Sequence, residues 1–512
     1  MSINHTMSIA LNSMKNNQNA LAVVSHNIAN LNTKGYAKER VNFSESRFTV
    51  NSKSPIARIN ALNGAEISSV TNYIDSAKFK GVVDSNTDAN YYNELANALK
   101  DLDGVADDLG DNGLNALLND FFTCAASLEQ FPSDLSIRQQ YVAALDNICD
   151  KFNYITDRYD SIQDEQYLDV SQSVTELNSL FNDLATLNVT HVRTGLGSST
   201  QNEINNILQE VSKYGNITYD QNANGTYNLM FGGMYVVRGT DVMYEVESNF
   251  DPSKDQPLTI SLKSTKEEGS AVINDQILTG SLKGKIDFLN GTNSTVGFST
   301  VSDMKKAIQS AQTAFADALN GIQTYADAGS NTYAAYLTSN SGELVLASDG
   351  GDPNLPITPP ELLQIDSNGK IKVNQDVIDN PFYVAAARID LSKYQPGEDW
   401  TKSIGNADNA NLMTALQNEK ICSIGDGTNN CTLSQFLINN AAKNGIDLAS
   451  MENKAELYQG IADKDANDYN DLVGVNLDEE LADMVRYQRA YEASAKIFTV
   501  VNDIMQMIIG MA

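Results

Sequence analysis

The segment DQNANGTYNLMF, residues 220 to 231, comes nearest to ligand chemistry. Asp220, Asn222, Asn224 and Gly225 stand where a calcium-binding loop places its first oxygen ligands and its turn, but the twelfth position, which should supply a bidentate carboxylate, is Phe231. The same residues read as a tight hairpin turn, because Asn224-Gly225 lies between two runs rich in β-branched and aromatic side chains. His5, His26 and His191 are the only histidines, and none forms an HExxH pair or joins a cysteine at zinc-ligand spacing. Gly284-Lys285 and Gly369-Lys370 are each followed by isoleucine, where a phosphate-binding loop needs a hydroxyl for Mg²⁺. GLGSST at 195 to 200 holds a lone GxG, and no GxSxG elbow occurs. Any two of 65 acidic side chains could converge as a glycosidase pair, yet nothing favours a particular two. The expectation is a protein that is not an enzyme and uses neither cofactor nor metal.

Four cysteines remain. Cys124 and Cys149 fall on apolar faces of predicted helices, the usual place of free buried thiols. Cys422 and Cys431 flank the turn-rich SIGDGTNN and could close a disulfide in an oxidising compartment. The charge balance is one-sided, 65 acidic against 35 basic side chains for a net −30. Such a field repels phosphate backbones and anionic lipid, so neither nucleic acid nor membrane is expected as a partner. MSINHTMSIALNSMKNNQ lacks the basic start and unbroken apolar run of a cleaved leader, and IFTVVNDIMQMIIGMA is interrupted by Asn502, Asp503 and Gln506. A soluble chain, or one exported without a cleaved leader, is expected.

The elements that could position any of these residues are mostly helical. Met7, Met14, Leu21 and Ile28 sit seven apart, with Ala10, Leu11, Val24 and Leu31 beside them, which predicts an amphipathic helix with a narrow apolar seam. The other terminus mirrors it: Leu477, Met484, Tyr491, Phe498 and Met505 repeat at seven, accompanied by Leu481, Ala495, Val501 and Ile508. Asn476 and Glu479 have the spacing of a helix-capping box. From Ser133 to Thr194 there is neither Gly nor Pro, and Tyr141, Ile148, Ile155 and Ile162 keep the same step, so one helix of roughly 90 Å is predicted at about 1.5 Å per residue. Strand patterning then takes over from 206 to 284, around the Asn224-Gly225 turn and in PLTISLK and SAVIND; LLQIDSNGKIKV reads as a second, smaller hairpin.

These elements nest. The predicted class is mainly α with an inserted β domain, multidomain and elongated: an antiparallel coiled coil from 1–45 with 475–512, a helical domain from 46–205 with 285–474 that includes a short partly β segment at about 330–400, and an outermost β domain at 206–284. Pairing of the two ends would bring Lys34, Lys38, Arg40 and Arg47 near Asp478, Glu479, Glu480 and Asp483. Exposed pairs contribute only about 0 to 1 kcal/mol each, so their use would be to choose orientation.

Residues 11 to 41 also carry a motif, Asn27, Ile28, Ala29 and Asn30 followed by Asn32, Thr33, Gly35 and Tyr36. It resembles the N-terminal signature of the flagellar rod, hook and hook-associated axial proteins. At the C-terminus, VNLDEE followed by RYQRAYEASAK is similar to the hook-associated protein 1 family, the junction between hook and filament. LNDFFTCAASLEQFPSDLSIRQ, LTGSLKGKIDFLN and IGNADNANLMTALQ resemble interior stretches of that family. Where the family has a charged DLLDRRD-like helix before its β domain, this chain has EINNILQEV, and residues 326 to 404 are short beside members with a second outer domain, so one principal β domain is expected.

The resemblance implies a structural axial protein of the bacterial flagellum, secreted by the type III export route and built into the extracellular hook–filament junction by self-assembly of its terminal helices. Implied partners are further copies in a helical array, the hook protein, a second junction protein (hook-associated protein 3), and an export chaperone at the C-terminal helix. Another rod or hook protein is the nearest alternative, and an extracellular adhesin or a cell-wall hydrolase a more distant one. Asparagine tolerates left-handed backbone and bonds neighbouring main-chain groups, and Gly35 permits positive φ, so the motif is suited to ending a helix and redirecting the chain.

Overall fold

The computed structural model describes residues 3–33, 35–49, 60–106, 109, 113–194, 198–250, 257–337, 343–346, 359–395, 398–424 and 429–510. The chain starts with α1 (Ile3–Ala29), then the antiparallel ribbon β1 (Glu39–Thr49) and β2 (Asn60–Asn72). Helices α2 (Ser76–Ala106), α3 (Leu114–Gln130), α4 (Leu135–Thr194) and α5 (Ser198–Tyr214) follow. Two small sheets come next: β3 (Ile217–Gln221), β4 (Tyr227–Phe231), β5 (Met234–Arg238) and β6 (Asp241–Val242) in sequence order, and β7 (Tyr244–Asn249), β8 (Thr259–Ser264) and β9 (Ser270–Val272). After α6 (Ser281–Asn290), α7 (Asn293–Val296) and α8 (Val301–Gln323), a further sheet joins β10 (Ala326–Asp327), β11 (Thr332–Leu337) and β12 (Leu344–Leu346). A hairpin of β13 (Leu363–Ile365) and β14 (Ile371–Val373), the turn α9 (Gln375–Asp379) and β15 (Ala387–Asp390) lead to α10 (Asp408–Ala415), α11 (Leu433–Val473) and α12 (Leu477–Gly510). The protein is mainly α with β parts.

The 60-residue α4 is unbroken, and its seven-residue row of Tyr141, Ile148, Ile155 and Ile162 is buried throughout, as are Val170, Val174, Leu177, Phe181 and Leu184. Its helical period therefore does what it predicts: one stripe faces a core along the whole rod. The strands of β3–β9 lie on that stripe. Phe181 meets Phe231 with ring centroids 6.1 Å apart, the Asn178 amide bonds both backbone groups of Val246, and Asn188 does the same for Tyr227. Leu229, Val237, Val246, Ile260 and Leu262 belong to one continuous core with α2, α4 and α5.

Two expectations need correction here. Residues 206 to 214, placed within the β domain, continue α5, and the first strand begins at Ile217. The hydrophobic spacing of Ile204, Leu208 and Val211, all buried, is helical. The stretch from 326 to 390 is more than a partly β segment: β15 returns to pair with β11 along Thr332–Ala335, making a four-stranded sheet with its own small core of Leu337, Leu344, Leu346, Phe382 and Ile389. Arg138 fastens this unit to α4. Its buried guanidinium donates to the carbonyls of Pro132, Pro381, Phe382 and Val384 at 2.7 to 3.2 Å, and burial lowers its pKa to about 10.

At the other end of the molecule α2 and α11 run antiparallel, with Phe79 beside Tyr469 and Tyr92 stacked on Tyr458. The pair α1 and α12 continues it, and the β1–β2 ribbon emerges where the two pairs meet. Helix α12 starts at a cap in which Asn476 Oδ1 accepts from the backbone N–H groups of Asp478 and Glu479, while Asp478, Glu479 and Glu480 occupy the positive end of the helix dipole.

Candidate functional site: the paired terminal helices and their root

Helices α1 and α12 pair in opposite directions: Ser13 Oγ lies 2.8 Å from Ser494 Oγ, and Asn27 Nδ2 donates to Glu480 Oε2 at 3.1 Å. The residues buried between them are Ala10, Ala20, Val24 and Asn27 on α1 and Glu480, Ser494 and Val501 on α12. Of the residues read on this face of α1, Ala10 and Val24 are fully covered, whereas Met7, Met14, Leu21 and Ile28 flank the contact half-buried. On α12, Met484, Tyr491, Phe498 and Met505 are half-buried beside the contact. Leu11, Leu31, Leu477, Leu481 and Ile508 point to solvent within this single chain. The physical reason is that the helices approach closely at Ala10, Ser13, Ala20 and Ser494, where small side chains leave room, and longer side chains are displaced to the edges of the groove.

At the root of this pair the asparagine-rich motif is fixed by one buried side chain. Asn27 Oδ1 accepts from the Tyr36 hydroxyl at 2.8 Å and from the Glu39 backbone N–H at 2.9 Å. Its Nδ2 donates to the Glu39 carbonyl at 3.0 Å as well as to Glu480. A single amide therefore ties α1, the redirected strand and α12 together with all four of its bonds used. Tyr36 also sits 3.2 Å from His26 Nδ1, which in turn lies 3.2 Å from Glu39 Oε1. Burial, then the charges of Glu39 and Glu480, push the Tyr36 phenol upward, so it stays a donor. Burial likewise raises the Glu480 carboxyl, opposed by the Asn27 amide.

The rest of the motif has local tasks. Asn30 Nδ2 donates to the His26 carbonyl, ending the helix, and Thr33 Oγ1 donates to Asn30 Oδ1; Asn32 and Ala29 are exposed. Gly35 has φ +75°, and a Cβ there would stand 2.3 Å from Asn206 Oδ1. Asn202 Oδ1 accepts from the Ala37 N–H and from Asn72 Nδ2. The seat of the motif is therefore α5, the EINNILQEV helix in which this chain departs from the family pattern. Asn202, Asn206 and Ser494 are residues that sequence reasoning missed, and Glu480, expected opposite the basic residues, is instead buried against Asn27; the available signal was polar side chains recurring inside otherwise apolar helix faces. Of the expected charge pairs, Lys38 Nζ meets Glu479 at 3.2 Å and Arg40 is exposed, while Lys34 and the Arg47 side chain lie outside the described residues.

The other chemical candidates resolve locally. Asp220 accepts from Asn228 Nδ2, Asn222 pairs with Thr226, and Gly225 turns with φ +86° under His191, whose Nε2 donates to the Asn224 carbonyl. These groups hold a hairpin. Among the described residues no three His, Cys, Asp or Glu side chains gather to hold a metal, and no helix is long and apolar enough to cross a membrane. Residues 195–197 of GLGSST lie outside the described residues. Cys149 is buried and Cys124 half-buried in the helical block; Cys422 and Cys431 face each other across a single β-bridge.

Comparison with known proteins agrees with this arrangement along the chain. Residues 99–331 match the family model described as the flagellar hook-associated protein FlgK helical domain. Residues 470–511 match the flagellar basal body rod FlgEFG protein C-terminal model, and residues 7–36 the flagella basal body rod protein model. Flagellar hook-associated protein 1 of Bacillus subtilis (strain 168) is 24% identical over 522 aligned residues, covering 96% of this chain and 95% of that protein. Its namesake from Escherichia coli (strain K12) is 22% identical, covering 98% of each. The structure of the flagellar hook junction protein FlgK from Burkholderia pseudomallei shares the fold at TM-score 0.54 and 12% identity, over 75% of this chain and 98% of that one. With matches to rod-type models at both paired ends and to the FlgK helical domain between them, the chain is similar along its length to the FlgK-type hook-associated proteins, which supports a structural component of the flagellar axis.

Proposed function

We propose that this protein forms the junction between flagellar hook and filament, and that it does so by lateral and axial stacking of the α1–α12 pair with the pairs of neighbouring copies. One observation carries the reading: the outward surface of the pair is apolar. Ile497, Val500, Ile504 and Met507 repeat at three-four spacing on α12 and are exposed, Met507 at 65%, and Leu481, Val485 and Ile509 add to them. A second heptad row on a helix already paired by its first is the surface that further helices cover. Unlike-surface contacts of this kind repeat into an open helical array.

The hook protein and hook-associated protein 3 are the partners at the two ends of such an array, and an export chaperone covers the C-terminal seam before assembly. Secretion by the type III route then delivers the chain to the extracellular junction. The two terminal helices order fully only when neighbours bury these rows, since an isolated pair has little core. The test is complementation of a deletion strain with a chain lacking 477–512, scored by electron microscopy. Hooks without attached filaments, with filament subunits shed to the medium, are expected. Filaments attached at normal frequency would reject the proposal.

A further inference from the structure

The bridge between Cys422 and Cys431 has no part in the paired helices. Each of the two residues donates its backbone N–H to the other's carbonyl at 3.2 Å, so they form the hydrogen-bonded pair of an isolated antiparallel bridge. Directly opposed residues of such a pair project side chains to the same face with Cα atoms about 5.5 Å apart, inside the span of roughly 4.4 to 6.8 Å that disulfides bridge. Cys431 Sγ already lies 3.4 Å from the Cys422 carbonyl oxygen, and both side chains are buried. The backbone on either side is held independently. The Asn430 amide bonds the N–H and the carbonyl of Ile424, and Thr432 with Gln435 makes a reciprocal capping box that starts α11. Side-chain rotation alone is left for the sulfurs to meet.

We propose that Cys422 and Cys431 constitute an oxidation site: in an oxidising medium they close a disulfide across their β-bridge that locks the first turn of α11. The oxidant is a low-molecular-weight disulfide, with oxidised glutathione as the representative. The Cys431 thiolate attacks one glutathione sulfur, forming a protein–glutathione S–S bond and expelling one glutathione thiolate. The Cys422 thiolate then attacks the Cys431 sulfur, forming the internal bond and expelling the second. Two protein thiols lose two electrons and two protons, and one glutathione disulfide is reduced to two thiols. Burial raises both thiols, Cys422 up to about 12; Cys431 goes first because Lys420 beside it favours its thiolate, whereas no cation opposes the burial of Cys422. The staple sits where the returning chain enters α11, the 41-residue helix whose far end leads into α12. In a reducing cytoplasm the two thiols stay reduced; in an oxidising medium the exchange equilibrium favours the closed bond.

The test uses the full chain purified under reducing conditions and then held with oxidised glutathione. Alkylation after denaturation and peptide mapping are expected to find Cys422 linked to Cys431, with Cys124 and Cys149 still alkylated. Tryptic cleavage after the exposed Lys420 should slow at least fivefold on oxidation, and a C422S/C431S chain should show no difference between the two media. Full alkylation of both cysteines after oxidation would overturn the proposal. So would stable glutathione adducts without ring closure, pairing with Cys124 or Cys149, or a cleavage rate unchanged by a bond that does form.

Discussion

Asn27 and Gly35 show how far single residues decide the root of the paired helices. Gly35→Ala puts a Cβ into the Asn206 side chain at a positive φ, and the expected loss is about 1 to 3 kcal/mol by urea unfolding. Asn27→Asp removes the donor to Glu39 and Glu480 and sets a third carboxylate between them. Hydrogen exchange at residues 27–40 should accelerate more in this variant than in Asn27→Ala, which merely vacates the site. Glu480 gives a pH signature. Its carboxyl keeps its proton to higher pH in the folded chain than its ordinary value of 4.5, chiefly through burial. Between the unfolded and folded values the folded state holds more protons, so this group's contribution to stability falls as pH rises through that window. Glu480→Gln should therefore raise the melting temperature at pH 7, with the gain vanishing below about pH 4.5, where Glu480 is protonated in both states. A variant less stable than the parent at pH 7 would show that the charge itself holds the contact. The motif was legible in the sequence as a helix end and a turn. Its partner Glu480, 453 residues away, was not, because no local period marks a carboxylate that will be buried by a distant asparagine.

Among the elements, α4 was the most legible, since a seven-residue apolar step without Gly or Pro has only one regular structure to fit. On α1, Ala10 and Val24 were legible as part of the seam, but Ser13, Ala20 and Asn27 were not, because apolar periodicity weighs large side chains whereas closely approaching helices select small ones for the contact. The β10–β12 and β15 sheet escaped for a different reason: its strands are two to six residues long, and β15 pairs with β11 only after the intervening residues 338–386. Arg138 is what holds that sheet to α4, through four carbonyls and no carboxylate among its described bonds. Arg138→Lys keeps a charge but loses the fork, leaving carbonyls unmet at a cost of about 2 to 4 kcal/mol. The single tryptophan, Trp400, packs against the small core of the sheet, so its fluorescence should report unfolding at lower urea than the helical signal does in the variant. Coincident transitions at the parent's midpoint would mean that Arg138 carries no such load.

At the scale of the whole molecule, the interior block and the paired ends are stabilised differently. The block has one continuous buried core, whereas the ends bury a narrow small-residue contact and leave apolar rows outside. Val500→Asp, Ile504→Asp and Met507→Asp together should thus leave the helical content of the free chain nearly unchanged, as read by circular dichroism, while filament attachment to hooks falls at least tenfold. Loss of helicity to match the loss of attachment would instead place these side chains in the monomer's own fold. The account rests most heavily on the terminal helices staying partners in the finished appendage. Cysteines introduced as Ser13→Cys and Ser494→Cys, whose native oxygens lie 2.8 Å apart, test this directly in isolated hook–filament particles. Peptide mapping should find a bond between positions 13 and 494 of the same subunit; two free thiols in intact particles, or a bond only between different subunits, would contradict it.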